Sequence, residues 1–396
     1  MRTDRLGARL STAGRAAVAA AGSGVKFSDV AVIGLGAAGS AALNALARSG
    51  ARVTGIDRFD PPHDRGSSHG ETRLLRTAYA EGPFYVPLVR RAIALWKAAE
   101  RRTGAKLFEH TGVVYAGADG NPFIDATRQA AELGQVRLVS ARGLARWFDL
   151  PAEWHALRET GGGYVYPERA IRTFLAEARR HGATVRRDCA CETMDRSGAS
   201  IRLRTSRGTI EAARVVVTTG AWISELMPEL APATFVERRV LHWFADPDRR
   251  FTRARGFTPF AIGSEDGQMI YGFPANARGE VKVAEHLRVE VIASPDALDR
   301  KVRRADIAAI LPPVRRFLPG LGRRLRSSVC MYPMAQDERF ILARHPADPR
   351  IVVGAGLSGH GFKFAPAIGE VLANLARGRS QKVDIAPFRY PVSAPR

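Results

Sequence analysis

Val30-Ala31-Val32-Ile33-Gly34-Leu35-Gly36-Ala37-Ala38-Gly39, followed by an alanine-rich stretch and Arg52-Val53-Thr54-Gly55-Ile56-Asp57, decides the fold. The apolar run Val30–Ile33 reads as a strand covered on both faces, as in parallel α/β sheets. Gly34 permits the tight turn that follows, Gly36 lets backbone approach a pyrophosphate, and Gly39 lets the next helix pack on the strand. That helix, Ser40 to Arg48, closes at Gly50 and offers a diphosphate its unpaired N-terminal N–H groups and the positive end of its dipole. The second strand stops at Asp57, where a carboxylate can accept both hydroxyls of an adenosine ribose. The same charge disfavours a 2′-phosphate, which leaves FAD or NAD as the dinucleotide.

A chain of 396 residues is long for one core, so two domains are expected. Apolar content of 45% and charged content of 25% suit a globular enzyme. No apolar run reaches the roughly 20 residues that span a bilayer, so no membrane partner is expected. The formal charge is +21, carried by 53 Arg and only seven Lys. The arginines are spread along the chain with no aromatic-interleaved basic tract. A basic nucleic-acid-associated protein is therefore supported by charge alone, and Arg-rich coding usage is the plainer cause. Cys189, Cys191 and Cys330 cannot all pair and lack metal-ligand spacing, which fits a reducing compartment; the cytoplasm is expected. Residues 1–26 are basic and acid-poor, with an apolar stretch (Ala16 to Ala21) too short for a signal peptide, and read as a disordered extension.

Along the chain, a polar loop (Phe59 to Thr77) precedes a helix over Val86–Arg102. Residues 107–165 alternate short strands with one or two helices, and Pro167–His181 reads as another helix. Strands are expected near 184–187 and 201–204. The buried strand Ala213–Thr219 ends at Gly220-Ala221-Trp222, a turn that would lie beside the cofactor if the strand rejoins the first sheet. From 236 to 329 the pattern is β-rich (Val240–Ala245, Gln268–Gly272, Val281–Ala284), with one charged helix over Pro295–Leu311. The chain then returns through Ile351–Gly354, a second glycine-rich turn and a helix over Pro366–Arg377.

Three stretches carry a family resemblance. They are Gly66-Ser67-Ser68-His69-Gly70-Glu71-Thr72-Arg73-Leu74-Leu75-Arg76, Ser328-Val329-Cys330-Met331-Tyr332, and Gly356-Leu357-Ser358-Gly359-His360-Gly361-Phe362-Lys363-Phe364. With Tyr271-Gly272-Phe273-Pro274 and the Lys282, His286 pair, they occur in the same order as in the monomeric sarcosine oxidase and N-methyltryptophan oxidase family, and the chain resembles it from Phe27 to Tyr390. The resemblance implies an FAD-dependent amine oxidase of α/β class. A Rossmann-like FAD-binding domain would come from 27–106, 166–235 and 330–390, and a β-rich α+β substrate domain from 107–165 and 236–329. It further implies a monomer that oxidises secondary amino acids with O2, giving amino acid, formaldehyde and H2O2. Pro228-Glu229-Leu230 and Ala386–Arg389 look closer to the N-methyltryptophan branch. Sarcosine and cyclic amino acids such as pipecolate are the competing substrates.

By that resemblance, Cys330 carries the flavin through a thioether to its 8α-methyl, and Tyr332 lies close to the attached ring. Arg76 and Lys363 hold the substrate carboxylate, Arg73 lies over the ring, Tyr271 and His286 line the pocket, and Lys282 serves the step with O2. Gly34, Gly36, Gly39, Asp57, Ser67, His69, Thr72, Gly220, Trp222, Gly359, His360 and Gly361 complete the expected cofactor contacts. Residue chemistry adds to this. Guanidinium suits a bidentate carboxylate clamp, and the spacing of Arg73 and Arg76 would put them on one side of a helical turn. In a chain that writes nearly every cation as Arg, Lys282 and Lys363 fall in apolar, glycine-rich segments where a compact ammonium is wanted. A fixed cation there stabilises the charge developing on reduced oxygen. The helix after Lys363 would aim its positive end at the flavin pyrimidine. The chain departs from the family at Ser68 (His is usual), Thr77 and Pro333.

Overall fold

A computed structural model describes residues 27–391, apart from 80, 133–135, 266 and 287–289. The extension expected over residues 1–26 lies outside the described residues.

The opening stretch forms the strand Phe27–Ile33, the helix Ala37–Arg48 and the strand Val53–Ile56, with the two strands parallel. They centre an eight-stranded sheet in which Thr184–Arg186, Val53–Ile56, Phe27–Ile33, Gly208–Val217 and Ile351–Ala355 are parallel neighbours. Val30 to Ile33 are each at most 3% exposed, as a strand covered on both faces must be. The strand Gly208–Val217 has two partners on one side. Its first half pairs antiparallel with Ile201–Thr205 and its last three residues pair parallel with Ile351–Val353. This places its C-terminal turn, Gly220–Trp222, beside the glycine turn at Gly34, as expected. The last helix, Ala365–Arg377, packs on Ala37–Arg48. A Cβ on Gly369 would lie 2.5 Å from the Ala41 backbone, so only glycine permits this closeness.

A nine-stranded, mostly antiparallel sheet covers the first. It contains Thr234–Ala245, Arg324–Ala335, Glu280–Glu285, Met269–Gly272, Phe260–Gly263, Val113–Gly117 and His155–Glu159. A small sheet of Arg73–Leu75, Gly163–Val165 and Phe108–Glu109 completes the fold.

Three expectations change here. Arg73 and Arg76 do not share a helical turn: Arg73–Leu75 is a strand paired with Gly163–Val165, a partner about ninety residues away that local spacing cannot reveal. The helix expected over Pro295–Leu311 is a single 3-10 turn at Pro295–Ala297, then a helix over Arg304–Phe317. That helix runs through Pro312 and Pro313 because Ile310, Val314 and Phe317 are buried in a phenylalanine- and tryptophan-rich core, and burial outweighs the local penalty of proline. Lastly, the expected domain edges at 235/236 and 329/330 fall inside the paired strands Thr234–Ala245 and Arg324–Ala335. No described helix is long and apolar enough to cross a membrane.

Candidate active site

A cavity of about 480 Å³ lies between the sheets. Its wall includes the Gly34–Ala38 turn, Asp57, Ser67, Ser68, Arg73, Trp222, Tyr332 and the turn from Gly354 to Phe362. Gly34 has φ +85° and its missing Cβ would meet Thr218 O at 2.4 Å, while a Cβ on Gly39 would lie 1.7 Å from Gly34 O. Gly36 differs: its Cβ position meets only Ser68 Oγ, at 3.5 Å, so that backbone faces open space. The carboxylate of Asp57 accepts Leu35 N at 2.7 Å and Phe59 N at 2.9 Å, and His63 Nε2 lies 3.4 Å away. It fixes the loop and still keeps lone pairs toward the cavity.

These residues fit a dinucleotide. Thr219 Oγ1, Thr72 Oγ1 and His69 Nε2 are buried with no hydrogen-bond partner among the described residues, and a bound group would satisfy such atoms. Trp222 donates Nε1 to Asp296 at 2.9 Å, and Arg58 reaches the same carboxylate at 3.1 Å, tying the two sheets together at this end. Cys189 and Cys191 also line the wall.

Farther along, Arg73 spreads its guanidinium over the carbonyls of Ser67 (2.9 Å), His69 and Thr72 (2.8 Å) and stands 3.9 Å from Cys330 Sγ. Cys330 is 1% exposed. Burial works against its thiolate, but His69 and Arg73 beside the sulfur overcome that and hold its pKa down at about 7. Tyr332 packs its ring against Gly359, where φ is +71° and a Cβ would come within 2.3 Å of the ring. Its hydroxyl lies 3.3 Å from that of Tyr271. His286 completes this group, 6.1 Å from the Tyr332 ring and 6.3 Å from the Tyr271 ring between centroids. Burial lowers the His286 pKa to about 4 and raises that of Tyr271 well above its ordinary value, so both are neutral near pH 7.

The two singled-out lysines are both buried. Lys282 donates Nζ to Gly70 O and Thr72 O, at 2.6 Å each, and stands 4.2 Å above the Phe273 ring. Burial first and Arg73 second push its pKa well below the usual lysine range. Lys363 donates to His360 O at 2.9 Å and approaches Tyr79 Oη at 3.3 Å. Burial and Arg76 bring its pKa down to about 7. The backbone carbonyl of Lys363 is pinned by Trp96 Nε1 at 2.8 Å.

Arg76 turns away from Arg73, as the two-residue periodicity of a strand and its exit require. It pairs with Glu81, donates to Ala78 O at 2.9 Å and lies 4.6 Å from the centre of the Tyr79 ring. Tyr79 thus touches both Arg76 and Lys363, and its hydroxyl bonds His360 Nδ1 at 2.6 Å. Through this bond His360 ties the second glycine-rich turn to Tyr79.

Sequence reasoning passed over Tyr79, Glu81, Glu159 and Glu168. Glu159 is fully buried. It accepts Thr77 N and Thr77 Oγ1 at 2.5 Å each and Tyr115 Oη at 2.9 Å, bracing the segment after Arg76. Glu is ordinarily a surface residue, and no motif marks these positions.

The FAD dependent oxidoreductase family called DAO matches residues 29–375. N-methyl-L-tryptophan oxidase of Yersinia pestis (strain Pestoides F) is 39% identical over 368 residues, covering 91% of this chain and 98% of the relative. Among solved structures, NikD, an unusual amino acid oxidase essential for nikkomycin biosynthesis, superposes with a TM-score of 0.81 at 24% identity, over 92% of this chain and 98% of its own. Glycine oxidase from Geobacillus kaustophilus gives 0.78 at 19% identity, over 93% and 100%. At these identities the two structures speak to the fold alone.

Proposed function

The chain belongs to the DAO family of FAD-dependent oxidoreductases, and within it we propose an oxidase that demethylates N-methyl amino acids, N-methyl-L-tryptophan or sarcosine, as a cytoplasmic monomer. The balanced reaction is N-methyl amino acid plus O2 plus water giving amino acid, formaldehyde and H2O2. When bound, FAD supplies the two-electron acceptor that takes hydrogen from the N-methyl carbon and passes the electrons to O2.

The observation that carries this reading is the meeting of two buried cations, Arg76 and Lys363, around Tyr79. Their partner there is already a carboxylate, Glu81, whose pKa Arg76, His360 and Lys363 depress despite burial. A substrate carboxylate exchanges with that of Glu81. Tyr271 and His286, both neutral near pH 7, stand with Tyr332 as walls that exclude water and favour an uncharged amine beside them. Lys282 keeps a donor group fixed near Arg73 and Cys330, where reduced oxygen needs positive charge. Cys330, with its thiolate accessible near pH 7, is the proposed covalent anchor of the cofactor.

Two measurements test this. Peroxide and formaldehyde should form in equal amounts from N-methyl-L-tryptophan or sarcosine. Peroxide without formaldehyde, or activity on pipecolate alone, overturns the demethylase reading. Acid precipitation should leave the yellow colour in the pellet, and Cys330→Ser should release it to the supernatant. Colour in the supernatant of the parent protein overturns the anchor.

A further inference from the structure

Lys282 is seated by a turn of unusual backbone. Gly70 and Glu71 are consecutive residues with φ of +97° and +72°. A side chain at position 70 would collide with Leu241, 2.5 Å from the Cβ position, so glycine is required there. Glu71 has no such freedom, and holding a non-glycine residue in the left-handed region costs about 1 kcal/mol or more.

Something must hold the turn, and one oxygen does so. Glu168 Oε1 accepts the amides of Gly70 at 2.7 Å and Glu71 at 3.0 Å. Glu168 is the second residue of the helix Pro167–Arg180, directly after the strand that pairs with Arg73–Leu75. At a helix N-terminus its negative charge is favoured by the dipole, and a carboxylate accepting two backbone amides makes a strong, directional contact. The peptide between Gly70 and Glu71 gives its N–H to Glu168 and its carbonyl, Gly70 O, to Lys282 Nζ, which also takes Thr72 O. One loop is gripped on its N–H side by a carboxylate and on its C=O side by an ammonium. The side chain of Glu71 points the other way, into Arg278, Arg326, Asn276 and Trp243.

We propose that Glu168 is the positioning residue for Lys282: by locking the Gly70–Glu71 turn it aims the two carbonyls that hold the ammonium in place for the step with O2. The inference rests on the oxygen role of Lys282 proposed above. Among the charged groups around Lys282, Arg73 opposes its charge, whereas Glu168, Glu71 and Cys330 favour it. Glu168 therefore acts on the lysine through both geometry and charge.

The test uses holoenzyme with Glu168→Ala, which removes both effects, and Glu168→Gln, which keeps an accepting oxygen but loses the charge and serves if the alanine variant does not fold. Hydrogen–deuterium exchange across residues 66–76 should show Gly70 and Glu71 losing protection in Glu168→Ala. Stopped-flow should show flavin reoxidation slowed about tenfold or more, with reduction slowed far less, since a small misplacement of a fixed group costs rate steeply. Glu168→Gln should fall between Glu168→Ala and the parent. Unchanged exchange at positions 70 and 71, or equal slowing of both half-reactions, overturns the proposal. If Lys282→Met reoxidises like the parent, the oxygen role of Lys282 falls, and exchange alone then decides whether Glu168 anchors the turn.

Discussion

Lys282 and Lys363 are both buried lysines, but their seats are built differently. Lys282 sits on a strand of the nine-stranded sheet and is gripped by two backbone carbonyls and the face of Phe273. Lys363 sits in the 3-10 turn after the parallel strand Ile351–Ala355. Of its neighbours, Tyr79, Arg76 and Glu81 act through side chains. A backbone cradle cannot leave, so the first seat is fixed. The second seat keeps one backbone carbonyl, His360 O, but its other members are side chains that can exchange one carboxylate for another, so it suits a ligand that must come and go.

The sharpest way to break this contrast is Lys282→Met. Flavin reoxidation should slow by about 10²–10³-fold, the usual effect of removing one fixed electrostatic donor, with reduction little changed. Equal losses in rapid-mixing traces would show the two seats to be alike. Next in size, Arg76→Gln should weaken binding of substrate and of acetate by about 30-fold or more, since truncating a buried charge pair costs at least about 2 kcal/mol. Titration of the flavin spectrum reads this, and unaltered affinity would move the carboxylate elsewhere.

The pH dependence of acetate binding is smaller but more specific. Lys363 has its pKa lowered to about 7 in the free site. Below that it is an ammonium ready for a carboxylate; above it, binding must also take up a proton. Affinity should thus be flat below pH 7 and fall about tenfold per unit above it, and a flat profile to pH 9 would remove Lys363 from the clamp. The smallest effect is Glu81→Gln. With the internal competitor neutral, acetate should bind about threefold to tenfold tighter, within the net range of one ordinary hydrogen bond. Weaker binding would mean that Glu81 braces Arg76 rather than competing for it.

The turn at Gly34–Gly39 was legible because Gly34 and Gly39 answer local demands, a positive φ and a close approach, and Asp57 because it directly follows the next strand. The scarcity of lysine was also a usable signal: against 53 arginines, Lys282 and Lys363 stood out, and both are buried at the site. What could not be read depended on partners far away in sequence. The strand at Arg73–Leu75 exists because Gly163–Val165 pairs with it. The carboxylates of Glu159, buried, and Glu168, half-buried, acquire meaning only from the loops folded onto them. The helix Arg304–Phe317 was misplaced because proline is a local signal, while the core that overrides it is not.

The strand Arg324–Ala335 has one more consequence. It belongs to the nine-stranded sheet, whereas the dinucleotide turn belongs to the other. A cofactor lodged in the eight-stranded layer and bonded to Cys330 in the nine-stranded one would bridge the two, its non-covalent grip adding to their docking while the fold lasts. On heating that grip is lost, but the bond would keep the flavin with its strand, so cooling would begin from a chain that still carries its prosthetic group.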